Sequence, residues 1–192
     1  MKQILFLASK NQGKINEYKK LLSNVNCQLL LQPKSIEVIE NGISFKENSL
    51  KKASEVAKQT NNYAIADDSG LCIDALNGSP GIYSSRYADN DKQRIERVLK
   101  ELEGHNNRLA FFIANVSVCS PNGNLILDSE GTCYGNILNA PRGNNGFGYD
   151  PIFEERTTRL TFAEMNELEK DLYSHRARAL EKIIPELIRI FY

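Results

Sequence analysis

The chain has no tryptophan, only two methionines and two histidines, and no excess charge of either sign: 24 Lys and Arg residues balance 24 Asp and Glu residues. Zero formal net charge removes any global positive field that would draw in nucleic acid or an anionic membrane, while a local basic pocket stays open. No stretch approaches the roughly 20 apolar residues that cross a bilayer, and ILFLA near the start is too short for the core of a secretion signal, which points to the cytoplasm. Cys27, Cys72, Cys119 and Cys133 form no Cys-x-x-Cys pair and have few histidines for company, so buried thiols fit better than a zinc site or a disulfide framework. No Pro-, Gly- or Ser-rich linker interrupts the 192 residues, and a single domain is expected.

What is present is patterned. Residues 2–8, KQILFLA, read as a buried first strand, and the next segment puts Ile15, Tyr18, Leu21 and Leu22 on one helical face. CQLLL at 27–31 is a second short strand. SFKENSLKKASEVAKQ fits a helix, with Leu50, Ala53, Val56 and Ala57 at helical spacing, Ser44 at its cap, and Glu47, Asn48, Lys51 and Lys52 on the other face. YAIA at 63–66 reads as a strand that stops at DDSG, which sets two carboxylates at a strand tip. DKQRIERVLKELEG predicts a helix finishing at Gly104. LAFFIANVSVC and NLILDSEGTCYGNIL, joined through SPNG, read as long antiparallel strands around a tight turn. A last helical segment is expected from about Ala163, with Pro185 beginning or bending its final piece. The combination implies an α/β fold, a mixed sheet flanked by helices, with a cleft between two lobes as the natural site.

Four stretches carry candidate chemistry. SKNQGK at 9–14 follows the first strand and opens a helix, where a glycine, a lysine and helix N–H groups suit a phosphate. It is not a Walker loop, because Ala8 and Ile15 stand where that pattern needs glycine and Ser or Thr, and a plain turn capped by Asn11 is the alternative. Asp67 and Asp68 would repel one another if buried without a cation or proton; such hard oxygens suit magnesium bridged to phosphate, with Glu40 and Glu47 as further candidate ligands and Lys51 and Lys52 nearby. One Asp capping a turn beside a solvated one is the plainer possibility. PRGNNGFGYDP interleaves Phe147 and Tyr149 with glycines, which suits a flat base or an ordinary loop. LEKDLYSHRARAL brings Lys170, His175 and Arg176 to the last helix or its entry, for binding or for structure. His105 reads as solvated.

Taken in order, SKNQGK, GISFKENSLKKA, ADDSGLCIDALNGSPGIYSSRYA, GFGYDPIF and Lys170 ahead of SHR resemble the inosine triphosphate pyrophosphatase family, which hydrolyses non-standard purine nucleoside triphosphates. Departures are small: Ser49 stands where the family usually has alanine, and Ser85 where Ser-Ala-Arg-Tyr is common. The resemblance implies a mixed, strongly twisted central sheet, two lobes around a deep cleft, a homodimer and Mg2+ as cofactor. Carried over position by position, Ser9, Lys10, Asn11, Gln12, Gly13 and Lys14 would hold the phosphates together with Lys52. Asp68 would be the catalytic carboxylate and, with Glu40, a metal ligand. Ser69 would touch the substrate, and Phe147, Gly148, Tyr149, Asp150, Lys170, His175 and Arg176 would form the nucleoside pocket. A related family linked to septum formation acts on modified pyrimidine nucleotides, but the SHR segment and the FGYD loop favour the purine enzyme. A nucleic-acid-binding module could use the same lysines and aromatics, yet would not need Asp67 and Asp68.

Overall fold

The computed structural model describes residues 2–192. The strands are β1 (Gln3–Leu7), β2 (Cys27–Leu31), β3 (Tyr63–Ile73), β4 (Leu109–Cys119), β5 (Leu125–Ile137) and β6 (Phe153–Glu155); the helices are α1 (Gln12–Leu21), α2 (Phe45–Thr60), α3 (Asp91–Glu101), α4 (Glu167–Tyr173) and α5 (His175–Ile190). The six strands form a mixed sheet in the order β2-β1-β3-β4-β5-β6. β1 is parallel to both neighbours, with Leu5 opposite Leu29 and Leu7 opposite Ile65, while β6 runs antiparallel to β5.

The chain divides into two compact units. The first holds residues 2–68, Ala114–Gly131 and Arg176–Tyr192; the second holds Ser69–Ile113 and Thr132–His175. In the first unit, side chains alternate along each strand. Leu5, Leu7 and Ile65 pack with Ile15 and Tyr18 of α1 and Leu180, Ile183 and Leu187 of α5. Ala64 and Ala66 point the other way, to Ala53, Val56 and Ala57 of α2, whose small side chains let helix and sheet approach closely. Each buried Leu or Ile contributes about 1.5–3 kcal/mol relative to exposure, so these two seams orient α1, α5 and α2 against β3. The second unit's core gathers Leu71 and Ile73 of β3, Val98 and Leu102, and the aromatic rings of Phe112, Tyr149, Phe153 and Phe162.

Local signals explain the helix starts. Asn11, Ser44, Asn90 and Asn166 each cap a helix with a side-chain oxygen, and Asn166 with Glu169 forms a reciprocal capping box. That box starts α4 at Glu167, later than the Ala163 expected from apolar spacing. Pro185 does not begin a helix; it lies inside α5, where the apolar face through Ile183 and Leu187 is buried on both sides of it. α3 ends at Glu101 rather than Gly104. The hairpin expected at SPNG is present, with the Ser120 N–H donating to Asn124 O at 2.9 Å. The cysteines are free thiols, Cys72, Cys119 and Cys133 buried and Cys27 half-buried.

The largest difference from expectation lies in β3. It does not stop at Asp67 but runs through Asp67, Asp68, Ser69 and Gly70 to Ile73, so the two carboxylates sit mid-strand. Burying them is tolerated because cations meet both: Lys14 and Arg176, from elements far away in sequence, at Asp67, and Lys52, from the preceding helix α2, at Asp68.

Candidate active site

Adjacent residues of a strand face opposite ways, and this separates Asp67 from Asp68. Asp67 follows Ile65 onto the side of α1 and α5. Its Oδ2 meets Lys14 Nζ at 3.0 Å and Arg176 Nε at 3.2 Å, and the Arg176 guanidinium also binds Glu17, one turn after Lys14 on α1. Asp67 and Arg176 are 1% and 2% exposed, so a buried ion pair lies at the centre of a network completed by half-buried Lys14 and Glu17. Burial opposes ionisation of Asp67, but Lys14, Arg176 and Lys52 outweigh it and hold the carboxyl far below the usual carboxylate range. Burial pulls Lys14 down from its ordinary value, with Asp67 acting against that, whereas Glu17 and Asp67 override burial and raise Arg176. The dyad is therefore not one shared metal site: Asp67 is the counter-ion of two cations.

Asp68 faces α2. Its Oδ2 accepts from Asn48 Nδ2 at 3.0 Å, and its Oδ1 lies 3.5 Å from Lys52 Nζ, which also reaches Glu40 Oε1 at 3.3 Å. Burial is the largest influence on Asp68 and raises its carboxyl above the ordinary value, against the pull of Lys52, Lys14 and the Asn48 hydrogen bond. Two carboxylates thus converge on one ammonium. Hard oxygens that already share a cation suit Mg2+, which needs only one or two carboxylates beside water and phosphate oxygens. Among the described residues no group of three or more His, Cys, Asp or Glu side chains is gathered for a metal, so a protein-only cage is not what this unit offers. Glu47, a candidate ligand by sequence, is committed elsewhere: its Oε2 accepts the Ile43 N–H at 2.9 Å at the start of α2.

The SKNQGK segment divides. Gly13 and Lys14 lie in the first turn of α1, with Lys14 aimed at Asp67. Asn11 caps the helix by accepting the Lys14 N–H, Ser9 Oγ accepts the Asn11 N–H, and Gln12 donates to Asn16. Lys10 is turned out to the exposed Glu37. The plain capped turn and the lysine-bearing helix start coexist.

In the second unit Phe147 is half-buried, and Lys170 Nζ stands 4.8 Å from its ring centre and 2.7 Å from Asp150 Oδ2. The same oxygen accepts the Phe147 N–H at 2.9 Å, pinning the loop back on itself. Gly146, at φ +77°, makes this possible, since a Cβ there would sit 2.0 Å from Asp150 Oδ2. Gly148 donates its N–H to Asp91 Oδ2 at 2.7 Å. His175 stacks on Phe112 at 4.8 Å and 12°. Tyr149 is not available as a stacking face: it is buried in the core with its hydroxyl donating to Ser84 O at 2.9 Å. Ser69 is half-buried on β3. Sequence reasoning missed Glu17, Asn48 and Asp91. The signal for the first two was position, three residues after Lys14 and one turn before Lys52.

Known proteins resemble this chain over nearly its whole length. A profile of the Ham1 family matches residues 5–186. The chain belongs to the Ham1 family. A relative, the dITP/XTP pyrophosphatase of Prochlorococcus marinus subsp. pastoris, is 74% identical over 97% of this chain and 98% of its own length. The dITP/XTP pyrophosphatase of Nostoc sp. is 50% identical over 97% and 95% respectively. The solved structure of a Ham1 protein from Coxiella burnetii superposes with a TM-score of 0.89 at 39% identity, covering 97% of this chain and 99% of that one. The Ham1 fold is thus the mixed α/β arrangement described above.

Proposed function

We propose that this Ham1 protein hydrolyses non-standard purine nucleoside triphosphates, ITP, dITP and XTP, to the nucleoside monophosphate and pyrophosphate. The observation that carries the proposal is Asp68. It is a buried carboxylate biased toward taking up a proton, fixed by Asn48 and set against Lys52 and Glu40. The names of the curated relatives support the substrate class.

Asp68 accepts a proton from water, and the water oxygen attacks the α-phosphorus. The bond from that phosphorus to the bridging oxygen breaks, and pyrophosphate leaves. Lys14 and Lys52, with the other 9–14 residues, draw the phosphates in and offset the charge developing on the departing group. Glu40 and Asp68 would hold Mg2+, which when bound neutralises triphosphate oxygens. Lys52, which spans these two carboxylates now, would then turn its ammonium to phosphate.

For the base, Phe147 supplies a stacking face with Gly148 and Asp150 shaping its loop, while Lys170 and His175 supply polar contact; Ser69 touches the sugar-phosphate side. Arg176 reads the 6-oxo group. Glu17 and Asp67 fix its planar guanidinium, and a fixed donor left unpaired by adenine's 6-amino group can reject ATP by about 10⁴-fold. We also expect a homodimer in the cytoplasm. Exposed Leu109 and Tyr134, with Phe111 against the Tyr134 ring, give β4 and β5 an apolar face suited to a second copy, and light scattering of the purified protein checks the assembly.

Hydrolysis of ITP in 18O-labelled water tests the reaction. Label in the nucleoside monophosphate supports attack on the α-phosphorus. Label in the released phosphates moves the attack to another phosphorus and overturns the proposed chemistry.

A further inference from the structure

Asn48 has no solvent exposure at all, yet both ends of its side-chain amide are used. Nδ2 donates to Asp68 Oδ2 at 3.0 Å, and Oδ1 accepts the Gly42 N–H at 2.8 Å. Gly42 lies two residues after Glu40, in the segment that leads into α2. The approach is close: a Cβ on Gly42 would sit 2.7 Å from Asn48 Oδ1 and 2.8 Å from Glu47 Cβ, so the turn can reach the amide only with glycine there. Two further contacts tie the same turn to α2, Lys51 Nζ to Asn41 Oδ1 at 2.6 Å and the Ile43 N–H to Glu47 Oε2 at 2.9 Å. A single buried carboxamide therefore connects the strand carrying Asp68 to the segment carrying Glu40, and it does so from the helix that also carries Lys52.

We infer that Asn48 is a positioning residue for the reaction: it sets Asp68 and the Glu40 turn at a fixed separation so that both carboxylates can serve one cation. The inference rests on the function proposed above. The bond to Oδ2 leaves Oδ1 of Asp68 turned toward Lys52 and Glu40, the side where phosphate and metal would bind. A carboxylate without this tether rotates about its last torsion, which is broad and roughly two-fold, and its oxygens no longer hold one assignment. Partners that orient a metal's carboxylates typically matter by about 10- to 100-fold in metal affinity or activity.

Two variants dissect the link. Asn48→Ala removes both bonds. Asn48→Asp keeps an acceptor for the Gly42 N–H but replaces the donor to Asp68 by a carboxylate oxygen, so it breaks the Asp68 arm and sets a like charge against it. With ITP as substrate, both are expected to lower kcat by about 10- to 100-fold while KM changes by no more than about 3-fold. Electron paramagnetic resonance of Mn2+ added to the protein alone reads the metal side without turnover, and Asn48→Ala is expected to weaken that binding by a similar factor. Circular dichroism and thermal unfolding establish the folded fraction, and kcat is expressed per folded molecule. An Asn48→Ala protein with kcat and Mn2+ affinity unchanged per folded molecule overturns the inference alone, provided the wild type releases pyrophosphate from ITP. A wild type that releases none overturns the functional proposal and this inference with it.

Discussion

Asp67→Asn separates the two neighbouring carboxylates in a single substitution. The amide is nearly isosteric, so it opens no cavity; it withdraws one negative charge from between Lys14 Nζ at 3.0 Å and Arg176 Nε at 3.2 Å. Removing one partner of a buried pair costs about 3–5 kcal/mol, because the remaining charge stays desolvated. Arg176 retains Glu17, so the lower end applies. About 3 kcal/mol in a chain of this size corresponds to a fall in Tm of about 6–12 °C. The pH dependence has a definite sign. Lys14, Arg176 and Lys52 overcome burial and hold the Asp67 carboxyl well below its unfolded value of about 3.9. A carboxylate depressed in this way stabilises the fold fully above the unfolded value and loses that contribution as pH falls from there toward the folded value. Thermal unfolding of wild type and Asp67→Asn, followed by circular dichroism at pH 7 and pH 3, should show a wide gap at the higher pH and a narrowed one at the lower. A gap at pH 7 of less than about 2 °C, or one equally wide at pH 3, refutes the assignment of Asp67 as a buried counter-ion.

Three further outcomes are expected. Asp68→Asn should cut kcat for ITP by at least about 10²-fold, the usual worth of a general base, while calorimetry still detects nucleotide binding; near-normal kcat would remove Asp68 from the chemistry. Arg176→Lys keeps a charge for Asp67 and Glu17 but loses the planar fork, so the ratio of kcat/KM for ITP over ATP should narrow by about 10-fold or more; an unchanged ratio would leave Arg176 as a partner of Asp67 only. Ser49 donates to Asn115 Oδ1 at 2.7 Å and shares a hydrogen bond with Ser117 Oγ at 2.9 Å in the buried seam between α2 and β4. Ser49→Ala alone should cost about 1–3 kcal/mol in denaturant unfolding, and Ser49→Ala with Ser117→Ala should cost less than the two changes summed; strict additivity would mean the hydroxyls do not act together.

Much of this arrangement was legible in the order of residues. The hairpin through SPNG, the cap at Ser44 and the apolar faces of α1 and α2 depend on neighbours within a few positions, and local spacing records them. β3 was not legible in that way. Two adjacent aspartates and a glycine look like the end of a strand, and the burial of Asp67 is made tolerable by cations 53 and 109 residues distant, Lys14 and Arg176, while Asp68 meets Lys52 on the preceding helix. The same limit hid Tyr149, whose place in the core depends on Ser84, 65 residues earlier. Motif order pointed to Asp68, Lys52 and Glu40 as a group, and the three do meet. It placed Asn48 on the polar face of α2 but gave no role to it, a residue without charge whose two ends join Asp68 and Gly42. The two-fold alternation of a strand could have foretold that Asp67 and Asp68 face opposite helices, had the strand been carried on through them.

Pyrophosphate release from ITP, dITP, XTP, ATP and GTP, measured side by side as kcat/KM with and without Mg2+, puts the proposed function to trial. The account predicts turnover of ITP, dITP and XTP that depends on the metal and exceeds that of ATP by about 10⁴-fold, with GTP also disfavoured. Comparable turnover of ATP, or no pyrophosphate from ITP under any of these conditions, would contradict it.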